Sequence, residues 1–305
     1  MRSSDSWPSN RAGITALTIS VALAMALILG FCVNRSAEAA DPVLVGAGDI
    51  ARCSNLPAAE ATAKLLDSIP GTVFTTGDNA YESGTAAEFK DCYNPTWGRH
   101  KARTRPTPGN HEYNTAGATG YFGYFGAKAG DPSKGYYAYT LGAWRVYALN
   151  SMCEEVGGCG KTSPMLTWLK KDLAANPGAC TLAYFHHPLF SSGAHGNTTK
   201  VRPIWKALYA ANAEVVLNGH DHHYERFAPQ RPDGTLARKR GIREFVAGMG
   251  GGSHYPIGTI KPNSQVRNTH TYGVLKLTLH PTSYEWRFVP EAGKAFTDSG
   301  SKRCH

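Results

Sequence analysis

Five short blocks of this chain concentrate side chains that bind metals or carry protons. They are Gly48-Asp49, Gly77-Asp78-Asn79-Ala80-Tyr81, Gly109-Asn110-His111-Glu112, His186-His187 and Gly219-His220-Asp221-His222. Carboxylate, phenol, amide and imidazole donors suit hard and borderline cations. A cation held by such donors polarises a bound oxygen and makes water acidic enough to attack near neutral pH. An isolated Asp or His is more often a cap or a turn residue. The five blocks in this order outweigh that reading.

The elements that must position these blocks are legible around them. Leu44–Ala47, Val73–Thr76, Leu182–Phe185 and Val215–Asn218 are apolar runs that read as buried strands, and four of the blocks follow them. The Gly109 block follows a Pro-rich turn instead. In open α/β sheets ligands bind beyond the carboxyl ends of the strands. Gly48, Gly77 and Gly219 are expected to let the backbone turn just before the ligand. Further strands are expected at 136–140, 144–149, 243–247, 272–279 and 283–289. Helices are expected at 57–68, 85–91, 163–175 and 200–211. Strand and helix alternate in the first two-thirds, and the stretch from Arg243 on is mostly strand, which predicts an α/β fold with mixed sheets. The Gly-rich segments 116–130 and 248–252 read as surface loops near the site. The run Tyr121-Phe122-Gly123-Tyr124-Phe125 reads as packing.

The blocks, taken together from Asp49 to Arg226, resemble the calcineurin-like metallophosphoesterase superfamily, and within it the purple acid phosphatases. The resemblance implies two mixed β-sheets packed as an α/β/β/α sandwich, with a dinuclear metal site at the strand ends. It implies that Asp49, Asp78, Tyr81 and His222 hold the first metal, and that Asp78, Asn110, His186 and His220 hold the second, with Asp78 bridging. It further implies iron(III) in the first position and a divalent ion, zinc, iron or manganese, in the second. Two carboxylates and a phenolate offset only part of the roughly five positive charges of such a pair, which leaves attraction for a phosphate ester. A hydroxide held by the metals is the implied attacking group. His111 and His195 match the two substrate-side histidines, and Glu112 is expected to orient His111. Most relatives place a His two residues after the first Asp. Here that position is Ala51, and Tyr81 supplies the missing ligand. Purple acid phosphatases have Gly at that position, so Ala51 is a departure that touches the local turn. His187 and His223 neighbour ligands and are expected to support them.

Composition sets the remaining bounds. Arg2 and Arg11 flank the start of an apolar stretch from Ala12 to Val33, and Ala37-Glu38-Ala39 follows, the layout of a secretory signal spanning 1–39. The stretch is long for such a segment, and an uncleaved membrane anchor is the alternative. Residues 40–305 suit a single metallophosphoesterase domain. Without residues 1–39 the chain carries 29 basic and 21 acidic residues. That excess suits an anionic substrate or an anionic cell surface. Arg238-Lys239-Arg240 follows the turn Pro232-Asp233-Gly234 and reads as a solvated hairpin tip, so a specific nucleic-acid partner is not expected.

Six cysteines remain after Cys32 leaves with the signal, an even number that suggests disulfides in an exported chain. Of about 15 possible pairings, 53–92, 153–159 and 180–304 are expected. The function expected is an exported phosphomonoesterase of acid phosphatase type, with no stable membrane partner once the signal is cleaved; the oligomeric state stays open. A phosphodiesterase or nucleotidase on the same fold is the alternative. A non-catalytic phosphate-binding surface protein is a third reading, and the filled ligand positions argue against it.

Overall fold

The computed structural model describes residues 40–305, together with Met1 and Ser4. The expected signal segment 1–39 otherwise lies outside the described residues.

Fifteen strands follow in chain order among the described residues. They are β1 Val43–Ala47, β2 Ala51–Arg52, β3 Thr72–Thr75, β4 Ala80–Tyr81, β5 Thr104–Arg105, β6 Tyr137–Leu141, β7 Trp144–Ala148, β8 Cys180–Tyr184, β9 Val215–Asn218, β10 Tyr224–Phe227, β11 Arg243–Ala247, β12 Ser264–Asn268, β13 Gly273–His280, β14 Ser283–Pro290 and β15 Ser299–Arg303. Four helices matter for the packing: α1 Leu56–Ser68, α2 Thr119–Phe125, α3 Pro164–Ala175 and α4 Arg202–Ala210.

One sheet has the order β15-β14-β13-β1-β3-β5, a second the order β12-β10-β11-β9-β8-β7-β6, and β2 and β4 form a short parallel pair. Both large sheets are mixed. β1, β3 and β5 run parallel while β13 pairs antiparallel with β1. β7, β8, β9 and β11 run parallel, with antiparallel strands at both edges.

Strand alternation builds three apolar layers, because successive side chains point to opposite faces. Leu44, Phe74 and Leu275 of the first sheet meet Val146, Leu182, Leu217 and Phe245 of the second in a layer between the sheets. Val45 and Val73 point the other way and pack with Ala59, Ala63 and Leu66 of α1. Tyr147, Ala183 and Val216 pack with Leu166 and Leu169 of α3 and Trp205 and Leu208 of α4. This is the expected α/β/β/α sandwich.

Several local expectations are corrected. Residues 116–130 are no surface loop. Gly120, Tyr121, Phe122 and Phe125 of α2 are buried, and the Tyr121 and Phe125 rings pack on Phe89. The aromatic run thus supplies the apolar face that its glycines concealed. The segment 248–252 lies beside the site as expected but is fully buried. Helix 85–91 starts on a Thr85–Glu88 capping box and then widens into a π-turn, Phe89–Tyr93. β10, β12 and β15 were not expected: β12 and β15 are polar strands at sheet edges, and the charged pair Glu225-Arg226 interrupts the apolar run of the short, largely buried β10. The three disulfides pair Cys53–Cys92, Cys153–Cys159 and Cys180–Cys304, as expected.

Candidate metal centre

The parallel strands of both sheets deliver their following residues to one edge. Asp49 comes after β1, Asp78 after β3, His186 after β8 and His220 after β9. The two sheets are tied there: His186 Nδ1 faces the Thr76 carbonyl at 2.8 Å, and the His220 amide donates to Asp49 Oδ2 at 3.0 Å. Asp49, Asp78 and His220 all adopt left-handed backbone, with φ of 59°, 50° and 70°. Non-glycine residues rarely sit there, and such positions cluster at functional sites.

The glycines act differently from expectation. Gly77 does take a positive φ, but Gly48 and Gly219 do not. Those two are required by close approach. A Cβ at Gly219 would stand 2.5 Å from Asp49 Oδ2, and one at Gly48 would stand 2.2 Å from Thr76 Oγ1.

Two knots of donor atoms result. In the first, the Tyr81 hydroxyl lies 3.0 Å from Asp49 Oδ1, 3.4 Å from Asp78 Oδ2 and 3.0 Å from His222 Nε2. His222 Nδ1 is turned to the Ser253 carbonyl, so its Nε2 presents a lone pair. One phenol proton therefore faces three acceptors. In the second, His186 Nε2 lies 3.0 Å from Asn110 Oδ1, 3.2 Å from His220 Nδ1 and 3.2 Å from Asp78 Oδ2. Asp78 Oδ2 is common to both knots. Asp49, Asp78, Tyr81, His186 and His222 are at most 2% exposed. Buried acceptors that share too few protons are costly unless a cation joins them.

The electrostatics agree. Burial opposes a charged His186, but the Asp78 carboxylate outweighs it and the ring is pushed up to about 9. Burial likewise opposes ionised Asp78, yet His186 pulls its pKa well below the carboxylate range. Burial, then the Asp49 carboxylate, pushes the Tyr81 phenol well above its ordinary value. Burial and the neighbouring His186 charge hold His220 neutral, as a ligand must be. The cluster draws positive charge to its centre and would keep Tyr81 as a phenol unless a strong Lewis acid displaced the proton. The donor set therefore fits a pair of metal ions. Asp49, Asp78 and His186, all buried, each bring a donor atom within 4.8 Å of the others.

The remaining expected residues lie around this centre. His111 Nε2 is 3.8 Å from Asp78 Oδ2, and its Nδ1 is held at 2.6 Å by the Glu82 carbonyl. The His195 ring stacks on His220 with centroids 4.3 Å apart, whereas the His111 ring packs on Tyr81. His187 Nδ1 bonds Ser151 Oγ at 2.8 Å and its ring packs 4.4 Å from His220. His223 Nε2 lies 3.1 Å from Glu225 Oε2 instead.

Glu112 does not orient the His111 ring. Its carboxylate accepts from the backbone of Gly109 at 2.7 Å, Asp78 at 3.0 Å, Asn79 at 2.7 Å and Ala80 at 3.3 Å. It thereby sets the loop that carries Asp78 against the loop that carries Asn110. Burial, with Asp78 nearby, raises its pKa to about 7. Ala51 fits its role as a non-ligand: β2 pairs Ala51 with Ala80 and Arg52 with Tyr81, which delivers the phenol to Asp49. Two contributors escaped the sequence reading. Tyr255 stacks on His222 at 3.9 Å, with nothing in its sequence context to mark it. Asp221 binds the loop of His195, and its place between two histidines was the available signal.

The profile of the calcineurin-like phosphoesterase family matches residues 43–224, which holds every donor named above. The chain belongs to that family. It is 26% identical over 199 residues to Purple acid phosphatase 15 of Arabidopsis thaliana, covering 53% of this chain and 37% of the relative. A purple acid phosphatase from yellow lupin (Lupinus luteus) seeds superposes with a TM-score of 0.66 at 19% identity, over 85% of this chain and 53% of that one. GAP50, the anchor in the inner membrane complex of Plasmodium, has the same fold, with a TM-score of 0.66 at 12% identity over 87% of this chain and 90% of its own. The chain thus spans about a third to a half of the length of the phosphatases it resembles.

Proposed function

We propose that this protein is an exported phosphomonoesterase of the purple acid phosphatase type. The observation that carries the reading is the pair of donor knots sharing Asp78 Oδ2, with a phenol in one and two imidazoles and an amide oxygen in the other. Asp49, Asp78, Tyr81 and His222 would hold iron(III). Asp78, Asn110, His186 and His220 would hold a divalent ion. When bound, the two ions lower the pKa of water and offset charge that develops on a phosphoryl group.

The chain's own residues do the rest. Tyr81 and the two buried carboxylates balance part of the ionic charge and leave the site attractive to anions. His111, fixed through Nδ1, keeps a partly exposed Nε2 toward the centre, where a phosphoryl or leaving-group oxygen would meet it. His195 presents a second ring, stacked on His220. Export is supported by the layout of residues 1–39 and by three disulfides in residues 40–305.

Hydrolysis of p-nitrophenyl phosphate and bis-p-nitrophenyl phosphate, each with and without chelator, tests this. Chelator-sensitive turnover with the monoester preferred supports it. A preference for the diester moves the substrate class, and turnover that ignores complete metal removal defeats the reading.

A further inference from the structure

A cavity lies away from the metal centre. It is an open groove of about 1000 Å³ between α3 and α4 on the outer face of the second sheet. Asn176, Gly178 and Asn212, at one end of it, precede β8 and β9, whereas His186 and His220 follow those strands. That end therefore lies at the sheet edge opposite the donors. Leu173, Ala207, Pro203 and Ala210 give the groove an apolar floor, and its size is in the range of sites for small organic ligands.

The rim has one sign of charge. Lys161, Lys170, Arg202 and Lys206 line the groove, and no acidic residue does. Lys170 Nζ donates to the Lys161 carbonyl, and Arg202 to the Pro232 carbonyl, so neither charge is neutralised by those bonds. The basic hairpin tip singled out in the sequence reaches the same place. Arg240 Nε donates to Asn212 Oδ1 at 3.1 Å, and Asn212 lines the end of the groove. A low-dielectric floor beneath a cationic rim focuses the field on that groove. Such a lining fits neither a free inorganic anion, which gains nothing from the floor, nor a neutral apolar molecule, which gains nothing from the rim.

We propose that this groove binds one single-chain anionic amphiphile, with its apolar chain along Leu173, Ala207 and Ala210 and its anionic head among Lys170, Arg202 and Lys206. This site is independent of the hydrolytic reading, and a binding measurement tests it without turnover. Calorimetric titration of the oxidised, full-length protein with laurate, below its micellar concentration, should show saturable binding of one molecule per chain. Lys206→Glu should weaken it about tenfold, the effect of removing and reversing one close charge. Ala210→Trp, which fills the floor from an exposed position, should abolish it. Both variants should hydrolyse p-nitrophenyl phosphate as the parent does. Dodecylphosphocholine and inorganic phosphate should bind at least tenfold more weakly than laurate. The proposal is overturned if laurate does not saturate, if both variants bind it unchanged, or if the zwitterionic analogue binds equally well. It is also overturned if phosphatidylglycerol vesicles bind while monomeric laurate does not, because the groove would then serve as a flat cationic surface.

Discussion

Tyr81 shows how one residue decides the character of this site. Its hydroxyl sits among Asp49, Asp78 and His222, where burial and two carboxylates oppose ionisation. A phenol with an ordinary pKa of about 10 loses its proton there only to a strong Lewis acid. A phenolate on iron(III) absorbs visible light, so the iron-loaded protein is expected to be purple. Tyr81→Phe should bleach it while Asp49, Asp78 and His222 retain some metal; a mutant of undiminished colour would contradict the assignment. The residues of this kind were readable in the sequence because their chemistry is written in residue type: a carboxylate, an amide and an imidazole at strand ends have few other uses in combination. Glu112 was misread for the same reason. A Glu beside a His suggests a pair, but its four bonds go to backbone amides that sequence cannot place. The glycines were half-read, since a need for space looks the same in sequence as a need for φ.

Among the elements, the loop from Leu189 to Gly196 carries His195, and three buried carboxylates hold it. Glu244 accepts from the Leu189 and Phe190 amides at 3.0 and 3.3 Å. Glu225 accepts from the Ser192 amide at 2.8 Å and hydroxyl at 2.6 Å. Asp221 accepts from Ser191 Oγ at 2.5 Å and the His195 amide at 2.8 Å. If this clamp serves His195, Asp221→Ala and His195→Ala should each lower kcat about 10- to 100-fold, and the double variant should lose little more. Metal content should be unchanged in all three; additive losses, or loss of metal in Asp221→Ala, would assign Asp221 a different role. Glu244 gives a stability prediction of definite sign. Burial pushes its pKa well above the ordinary carboxyl value, and Oε2 has no partner. The folded state therefore holds a proton that the unfolded chain releases above about pH 4.5. Its contribution to stability falls as pH rises from there toward the folded pKa, by up to about 1.4 kcal/mol per pH unit. Glu244→Gln, which keeps the acceptor oxygen, should be more stable than the parent in urea at pH 8 and lose that advantage near pH 4.5. Equal stability at both pH values would contradict it. The strands leading into the donors were legible from their apolar runs. β12 and β15 were not, because polar strands are specified by partners distant in the chain.

For the whole molecule, the parallel strands of two mixed sheets bring the ends of β1, β3, β8 and β9 to one edge. Segments from Asp49 to His222 become one site only through this topology, with the 53–92 and 180–304 disulfides fixing the periphery. The sandwich itself was legible through the resemblance of the five blocks. The groove between α3 and α4 was not, since no local pattern marks where two helices stand apart. The most direct measurement is metal content together with p-nitrophenyl phosphate turnover for the parent and Asp78→Ala. The parent should hold two metal ions per chain, one of them iron, and hydrolyse the ester. Asp78→Ala, deprived of the oxygen common to both donor knots, should lose at least one ion and its activity. An Asp78→Ala protein that keeps two ions and full turnover would contradict the account.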